Sequence, residues 1–193
     1  MAKTLIIYYS KYGTTKKYAE WIASELNGDI CAISDFKKDT QGKSTQGKYT
    51  LDNYDVIVIG SALYAGRIQG MDIINKNYEI LRGKKIVLFT CGLADYSKSE
   101  NINEIAGRIA AVIPENIRQD IKIFYLRGGV NYKEMGFIHK KMMDMMRMLE
   151  ERKLKKEGDN ASEETREFLA TYGQTLDFMD KSSIIGILEY CRG

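Results

Sequence analysis

No stretch of the sequence approaches the roughly 18 uninterrupted apolar residues that a helix needs to span a bilayer. Its three cysteines, Cys31, Cys91 and Cys191, form neither a CxxC pair nor a disulfide framework, so a reducing cytoplasm is the expected compartment. Histidine is nearly absent. His139 stands alone, with no Cys, Asp or Glu cluster at ligand spacing, which removes metal binding and Ser-His-Asp chemistry as working ideas. It reads as a surface or partner-bonded histidine. Charge of one sign is scarce too: 29 basic residues against 26 acidic leave a net charge of +3, too mild for the footprint of a nucleic-acid binder. There is no internal repeat and no nicotinamide fingerprint. The chain enters an apolar run at once, which leaves no room for a leader peptide and gives an expectation of none. At 193 residues a single domain over 1–193 is expected.

The informative part starts at Leu5. Leu5-Ile6-Ile7-Tyr8-Tyr9 has the continuous apolar character of a strand buried on both faces of a parallel sheet. It runs into Ser10-Lys11-Tyr12-Gly13-Thr14-Thr15, after which Tyr18, Ala19, Ile22, Ala23 and Leu26 recur at helical spacing. A strand, a tight hydroxyl-bearing loop and a helix start converge backbone N–H groups and the positive end of the helix dipole on one point. Lys16 and Lys17 oppose that dipole unless an anion sits between. The arrangement predicts a phosphate-bearing ligand. Simple helix capping by Ser10, Thr14 and Thr15 is the alternative.

Further strands are expected at Ile30–Ile33, Val56–Ile59, Ile86–Phe89 and, as an edge carrying Lys122, Ile121–Leu126. Helical patterns occupy about 70–81, a segment around 102–112 opened by a Ser97-x-x-Glu100 capping box, and about 162–180. Residues 37–53 are polar and aperiodic, which predicts a long connection with one turn of helix. Within it Gly42-x4-Gly47-Lys48 imitates a P-loop, but Tyr49 stands where a Ser or Thr would hold Mg²⁺, and no strand precedes it. Strands alternating with helices predict an α/β doubly wound sheet of five parallel strands in the order 2-1-3-4-5.

Ligands of such sheets lie beyond the carboxyl ends of the strands. Two more loops there pair small residues with an aromatic: Gly60-Ser61-Ala62-Leu63-Tyr64-Ala65-Gly66-Arg67 and Thr90-Cys91-Gly92-Leu93-Ala94-Asp95-Tyr96. A phosphate cradle beside two such loops suits a flat ring system carrying a phosphate.

With these three loops in this order, the sequence resembles the flavodoxin family. The resemblance implies a flavodoxin-like fold and non-covalent FMN, whose chemistry would be the cofactor's own with no catalytic side chain. It implies phosphate contacts from Ser10, Thr14 and Thr15 hydroxyls and from Tyr12 and Gly13 backbone. Ser61, Ala62, Leu63, Tyr64, Ala65, Gly66, Thr90, Cys91, Gly92, Asp95 and Tyr96 would form the ring site. Tyr64 and Tyr96 are its stacking candidates, against the plainer reading as surface tyrosines. Ala65-Gly66 would face the flavin N5, and Asp95 the pyrimidine edge or ribityl chain. Cys91 reads as a small buried filler.

One segment departs from flavodoxins, which are acidic. Residues 133–156 hold eight Lys/Arg and four acidic residues, a local charge of +4 that leaves −1 for the remainder. This insert, about 131–158, contains six of the nine methionines, Met135, Met142, Met143, Met145, Met146 and Met148. Ile138, Met142, Met145, Met146, Met148 and Leu149 share one helical face opposite Lys140, Asp144, Arg147 and Glu151, with Met143 the exception. The face has three readings: packed on the body of the domain, laid on an anionic membrane surface, or lining a pocket for a large apolar substrate. Gly128-Gly129-Val130-Asn131-Tyr132 followed by a basic, Met-rich helix resembles the flavodoxin-type protoporphyrinogen dehydrogenases. Asp52-Asn53-Tyr54-Asp55 and Tyr64 agree with them. That resemblance implies an oxidoreductase passing electrons from a bulky apolar substrate through FMN to a quinone. Its contact with a quinone or with the inner face of the cell membrane would run through 135–149. A non-enzymatic electron carrier between protein partners is the alternative.

Overall fold

A computed structural model describes residues 2–39, 47–64 and 67–193, with the backbone alone for Tyr64, Glu134 and Glu164. Gly42 and most of the P-loop imitation lie outside these residues. Two compact units are present, one of residues 1–128 and 178–193 and one of residues 129–177.

The larger unit is built on a parallel sheet. Its strands are β1 (Thr4–Tyr9), β2 (Asp29–Ala32), β3 (Val56–Tyr64), β5 (Lys85–Gly92) and β6 (Ile121–Arg127), with β4 (Arg67–Ile68) a short antiparallel partner of β3. The spatial order is β2-β1-β3-β5-β6, which is 2-1-3-4-5 when the parallel strands alone are counted. The added β4 arises because β3 runs past its apolar core and folds back, Leu63 pairing with Ile68 and Tyr64 with Arg67. Strands apolar on both faces require cover on both. On one side Leu5, Ile7, Ile57, Ile59, Ile86 and Leu88 meet α2 (Ile33–Asp39), α3 (Asp72–Leu81) and α4 (Ser99–Ala110). On the other, Ile6, Val58, Val87 and Phe89 meet α1 (Thr14–Leu26) and α8 (Ile185–Arg192).

Several local expectations shift. The apolar run Ile185-Gly186-Ile187-Leu188 opens α8, with Ile187, Leu188 and Cys191 buried beside α1. The helix expected over 162–180 stops at Thr171 as α7 (Glu163–Thr171). Gly173 takes a positive φ of 80°, and Leu176 and Asp177 then pair as β8 with β7 (Gly129–Val130). The capping box does not form. Asp95 takes the Ser97 N–H on its carboxylate at 3.0 Å and the Asn101 side chain on its carbonyl at 2.8 Å, so α4 starts at Ser99 without a side-chain cap.

Lys37 of α2 reaches Asp72 of α3 at 2.8 Å, with Lys76 at 3.7 Å. Burial alone would raise the Asp72 carboxyl, but these two ammoniums hold it below the ordinary carboxylate range. A carboxylate depressed in the folded state contributes stability above its unfolded pKa and loses it as pH falls through the folded value. Lys37→Gln is therefore expected to lower stability near pH 7 by about 0.5 kcal/mol, as partly exposed pairs do. The gap should close below the carboxylate range, as denaturant melts at several pH values would read.

The smaller unit holds its long helix by the polar side. Here α6 (Phe137–Glu157) is held to α7 chiefly by its polar side. Thr165 donates to Glu150 at 2.7 Å, Asp144 accepts from the Tyr172 hydroxyl, and the Arg147 guanidinium lies 5.1 Å over the Tyr172 ring. The Asp144 hydrogen bond pushes the Tyr172 phenol up to about 12. Met143, the residue that broke the sequence pattern, is the buried methionine of this helix. Ile138, Met145, Met146, Met148 and Leu149 are exposed. Within this unit, aromatic and hydrogen-bonding partners on α7 draw the opposite side inward. Among the described residues no helix is long and apolar enough to cross a membrane.

Candidate functional site

The carboxyl ends of β1, β3 and β5 bring the three sequence-marked segments to one edge of the larger unit. At the first, Gly13 is the residue that starts α1, in the left-handed region at φ 90°, a conformation glycine adopts without strain. Its N–H donates to Ser10 Oγ at 3.1 Å, closing the loop. No side chain caps α1 and no acidic residue occupies its first turn. The orphan N–H groups of the first turn are left for an external acceptor, while the Lys16 ammonium lies 3.7 Å from Glu20 and that of Lys17 lies over the Trp21 ring.

Two hydroxyls here are buried without partners. Thr15, 1 % exposed, and Thr90, fully buried, each keep an Oγ1 with no hydrogen bond. A buried hydroxyl left unpaired costs about 1–3 kcal/mol, so such atoms mark a place where a ligand supplies the missing bond. Thr14 Oγ1 accepts from the Cys91 thiol at 3.6 Å, which leaves its own proton to donate. Burial pushes that thiol above its ordinary value, only partly offset by the nearby Thr14 and Thr15 hydroxyls. Cys91 is 4 % exposed, as a filler should be. Gly128, at the end of β6, lies close behind: a Cβ there would fall 2.7 Å from Cys91 Sγ and 3.2 Å from Thr14 Oγ1. Its N–H donates to the Gly92 carbonyl at 2.6 Å. Sequence inspection gave Gly128 no role in the cradle, because what excludes a side chain there lies on other strands.

The ring-site residues divide. Ser61 is buried and donates to the Gln69 carbonyl at 2.7 Å, so its hydroxyl fixes the β3–β4 turn. Ala62 is buried and Leu63 half-buried against the core. Strand β3 extends to Tyr64 and β5 to Gly92, so Ser61 to Tyr64 and Thr90 to Gly92 are strand ends rather than loop. Residues 65 and 66 and the Tyr64 side chain fall outside the described residues, and with them the expected N5 contact and the first stacking candidate. Tyr96 is folded inward. Its ring rests on Tyr125 at 5.7 Å, its hydroxyl is buried without a partner, and burial raises the phenol strongly. Asp95 is held below the usual range by the Ser97 hydrogen bonds and organises its own turn. The loop it belongs to is anchored from β6, where Arg127 donates to the Leu93 carbonyl at 3.1 Å.

Among the described residues no group of His, Cys, Asp and Glu could hold a metal ion. The site instead fits a phosphate ester: an uncapped helix start, a threonine hydroxyl without a hydrogen bond and a second donor on Thr14. An uncapped cradle at the end of β1, in a sheet of this strand order, agrees with the family model that residues 5–157 match, that of the flavodoxin domain. The chain belongs to the flavodoxin-domain family.

Among curated proteins none matches this flavodoxin-domain chain. Solved structures of similar fold include the flavodoxin, WrbA-like protein from Agrobacterium tumefaciens, 19% identical over 59% of this chain and 82% of that one, TM-score 0.39. Another is the flavoprotein in complex with FMN from Lactobacillus acidophilus NCFM, 21% identical over 66% and 93%, TM-score 0.41. Oxidised flavodoxin 2 from Bacillus cereus is 20% identical over 65% and 86%, TM-score 0.36.

Proposed function

We propose that this flavodoxin-domain protein is an FMN-binding redox protein. The observation that carries the reading is the uncapped start of α1 beside the unpaired Thr15 hydroxyl. Thr14, Thr15 and the first-turn N–H groups of α1 would hold the phosphate, and the ends of β3 and β5 would flank the ring. Bound FMN supplies the electron-transfer chemistry; the protein supplies binding, orientation and electrostatic tuning. Titrating the apoprotein with riboflavin 5′-phosphate and with riboflavin, followed by flavin fluorescence, tests this. Saturable binding that depends strongly on the phosphate is expected, and equal or absent binding of the two overturns the reading.

We further propose that the protein is an oxidoreductase, removing electrons from a bulky apolar substrate of the protoporphyrinogen class and delivering them to a quinone at the inner face of the membrane. What supports this over a carrier between protein partners is the exposed apolar and basic character of α6, which a carrier docking in water has no need of. Anaerobic reduction of a soluble quinone analogue by protoporphyrinogen, dependent on the flavin-loaded protein, is the expected result. Reduction of small haem or iron–sulfur proteins without quinone activity favours the carrier.

A further inference from the structure

We propose that the outward side of α6 is a docking surface for an anionic lipid bilayer, a proposal whose place in electron transfer rests on the quinone reading above. At 3.6 residues per turn, Phe137, Ile138, Lys141, Met145, Met148, Leu149, Arg152, Lys155 and Lys156 fall within an arc of about 120°. All nine are exposed. Five are large and apolar, four are basic, and none is acidic.

Exposure on this scale is unusual for a water-facing helix. Phe137 and Ile138 are 72% and 78% exposed, and Met145, Met148 and Leu149 each about half. The acidic residues bordering the arc are turned to other work: Asp144 accepts from Tyr172, and Glu151 pairs with Arg147 at 3.0 Å. The Lys141 ammonium lies 5.0 Å over the Phe137 ring, leaving apolar and cationic groups side by side in one surface.

Charge selects the occupant. In a twofold dimer built on this arc the same patch would meet itself, bringing eight cations and no acidic residue of the arc into one interface. A flat anionic surface reverses that sign. Long Lys and Arg stems reach up to headgroups while the apolar side chains between them enter the acyl boundary. Methionine, flexible and polarisable, suits a disordered acyl surface better than a shaped pocket. The apolar residues end at Leu149 and three of the four cations follow it, so the helix would lie along the surface over about 30 Å.

Sedimentation of the full flavin-loaded chain with phosphatidylglycerol/phosphatidylcholine vesicles tests the proposal, with phosphatidylcholine vesicles as the comparison. Binding to the anionic vesicles, weakened by salt, is expected. Each basic residue near such a surface raises partitioning about fivefold, so replacing Lys141, Arg152, Lys155 and Lys156 with Gln should lower it at least a hundredfold, to the level seen with neutral lipid. Met145→Glu with Leu149→Glu should lower it more than about tenfold by removing apolar contact. Vesicle binding that is absent, insensitive to salt, or unchanged in both variants overturns the proposal. So does a wild-type dimer in sedimentation equilibrium that Met145→Glu/Leu149→Glu makes monomeric. The flavin titration is the independent arm: FMN uptake without vesicle binding sinks the docking surface alone, and vesicle binding without FMN uptake sinks the redox reading alone.

Discussion

Thr14→Ala combined with Thr15→Val is expected to weaken FMN binding about a thousandfold while leaving the apoprotein at least as stable as its parent. The two hydroxyls stand at the start of α1, one with its acceptor side occupied by Cys91 and the other buried near the same thiol without a hydrogen bond of its own. Toward a phosphate each would make a charge-assisted hydrogen bond, worth roughly 1.5–3 kcal/mol, and losing both gives the stated factor. The stability half of the result follows from the same geometry. Thr15 Oγ1 is buried and unpaired in the absence of a ligand, so valine, its isostere, removes a polar atom that otherwise costs about 1 kcal/mol or more. A purely structural threonine would behave oppositely, with stability falling and affinity following it. The comparison with riboflavin sharpens the result: the variant should bind riboflavin nearly as the parent does, and so lose its preference for the phosphorylated flavin. FMN affinity unchanged within about twofold by fluorescence titration, where tenfold corresponds to 1.4 kcal/mol, would remove the cradle from the site.

Gly60→Ala is expected to destabilise the larger unit by about 3 kcal/mol, the upper part of the range for overpacking a filled core. Gly60 sits in the middle of β3, paired with Tyr8 on one side and Phe89 on the other. A Cβ at this position would fall 2.4 Å from Phe89 Cζ and within 3.0 Å of two further ring atoms. Phe89 has nowhere to retreat, being fully buried among Val58, Val87, Leu126 and Ile184. A flexible side chain would yield; a locked aromatic ring shifts its strand instead. Phe89→Leu in the same background should recover more than half of the loss, because the smaller side chain vacates the contested volume. Equilibrium urea unfolding measures both, and additivity of the two substitutions would show that they do not interact.

The strand order was legible because it depends on pattern alone. Runs such as Val56–Ile59 and Ile86–Phe89, apolar on both faces, have few other uses than the centre of a parallel sheet. The phosphate loop was legible for a similar reason, since a strand, a glycine turn and a helix start are contiguous in the chain. The failures are equally specific. Ser97 and Glu100 have the spacing of a capping box, but Asp95 binds the Ser97 N–H first and resets the helix start. Phe168, Tyr172, Leu176 and Met179 continue a helical period past Gly173, where a positive φ and the pairing of β7 with β8 end it. The roles of Gly128 and Gly60 were invisible, because each is defined by a side chain on a neighbouring strand.

The two sides of α6 show the limit most clearly. Periodicity in the sequence separates an apolar stripe from a polar one and sets Met143 apart from the first, and Met143 is the methionine that the helix buries. Periodicity carries no information on which stripe faces a neighbour. The inward choice was made by α7, which offers Thr165 to Glu150 and the Tyr172 ring and hydroxyl to Arg147 and Asp144. The sequence by itself determined the doubly wound sheet, the anion-binding turn after β1 and the basic, Met-rich character of the insert, since local propensity and periodicity suffice for these. Tertiary structure alone decided that α1 goes uncapped, that Thr15 is left unpaired, that Tyr96 turns onto Tyr125 and that the apolar stripe of α6 faces outward. The last two depend on contacts between residues far apart in the chain, whose geometry no local pattern encodes.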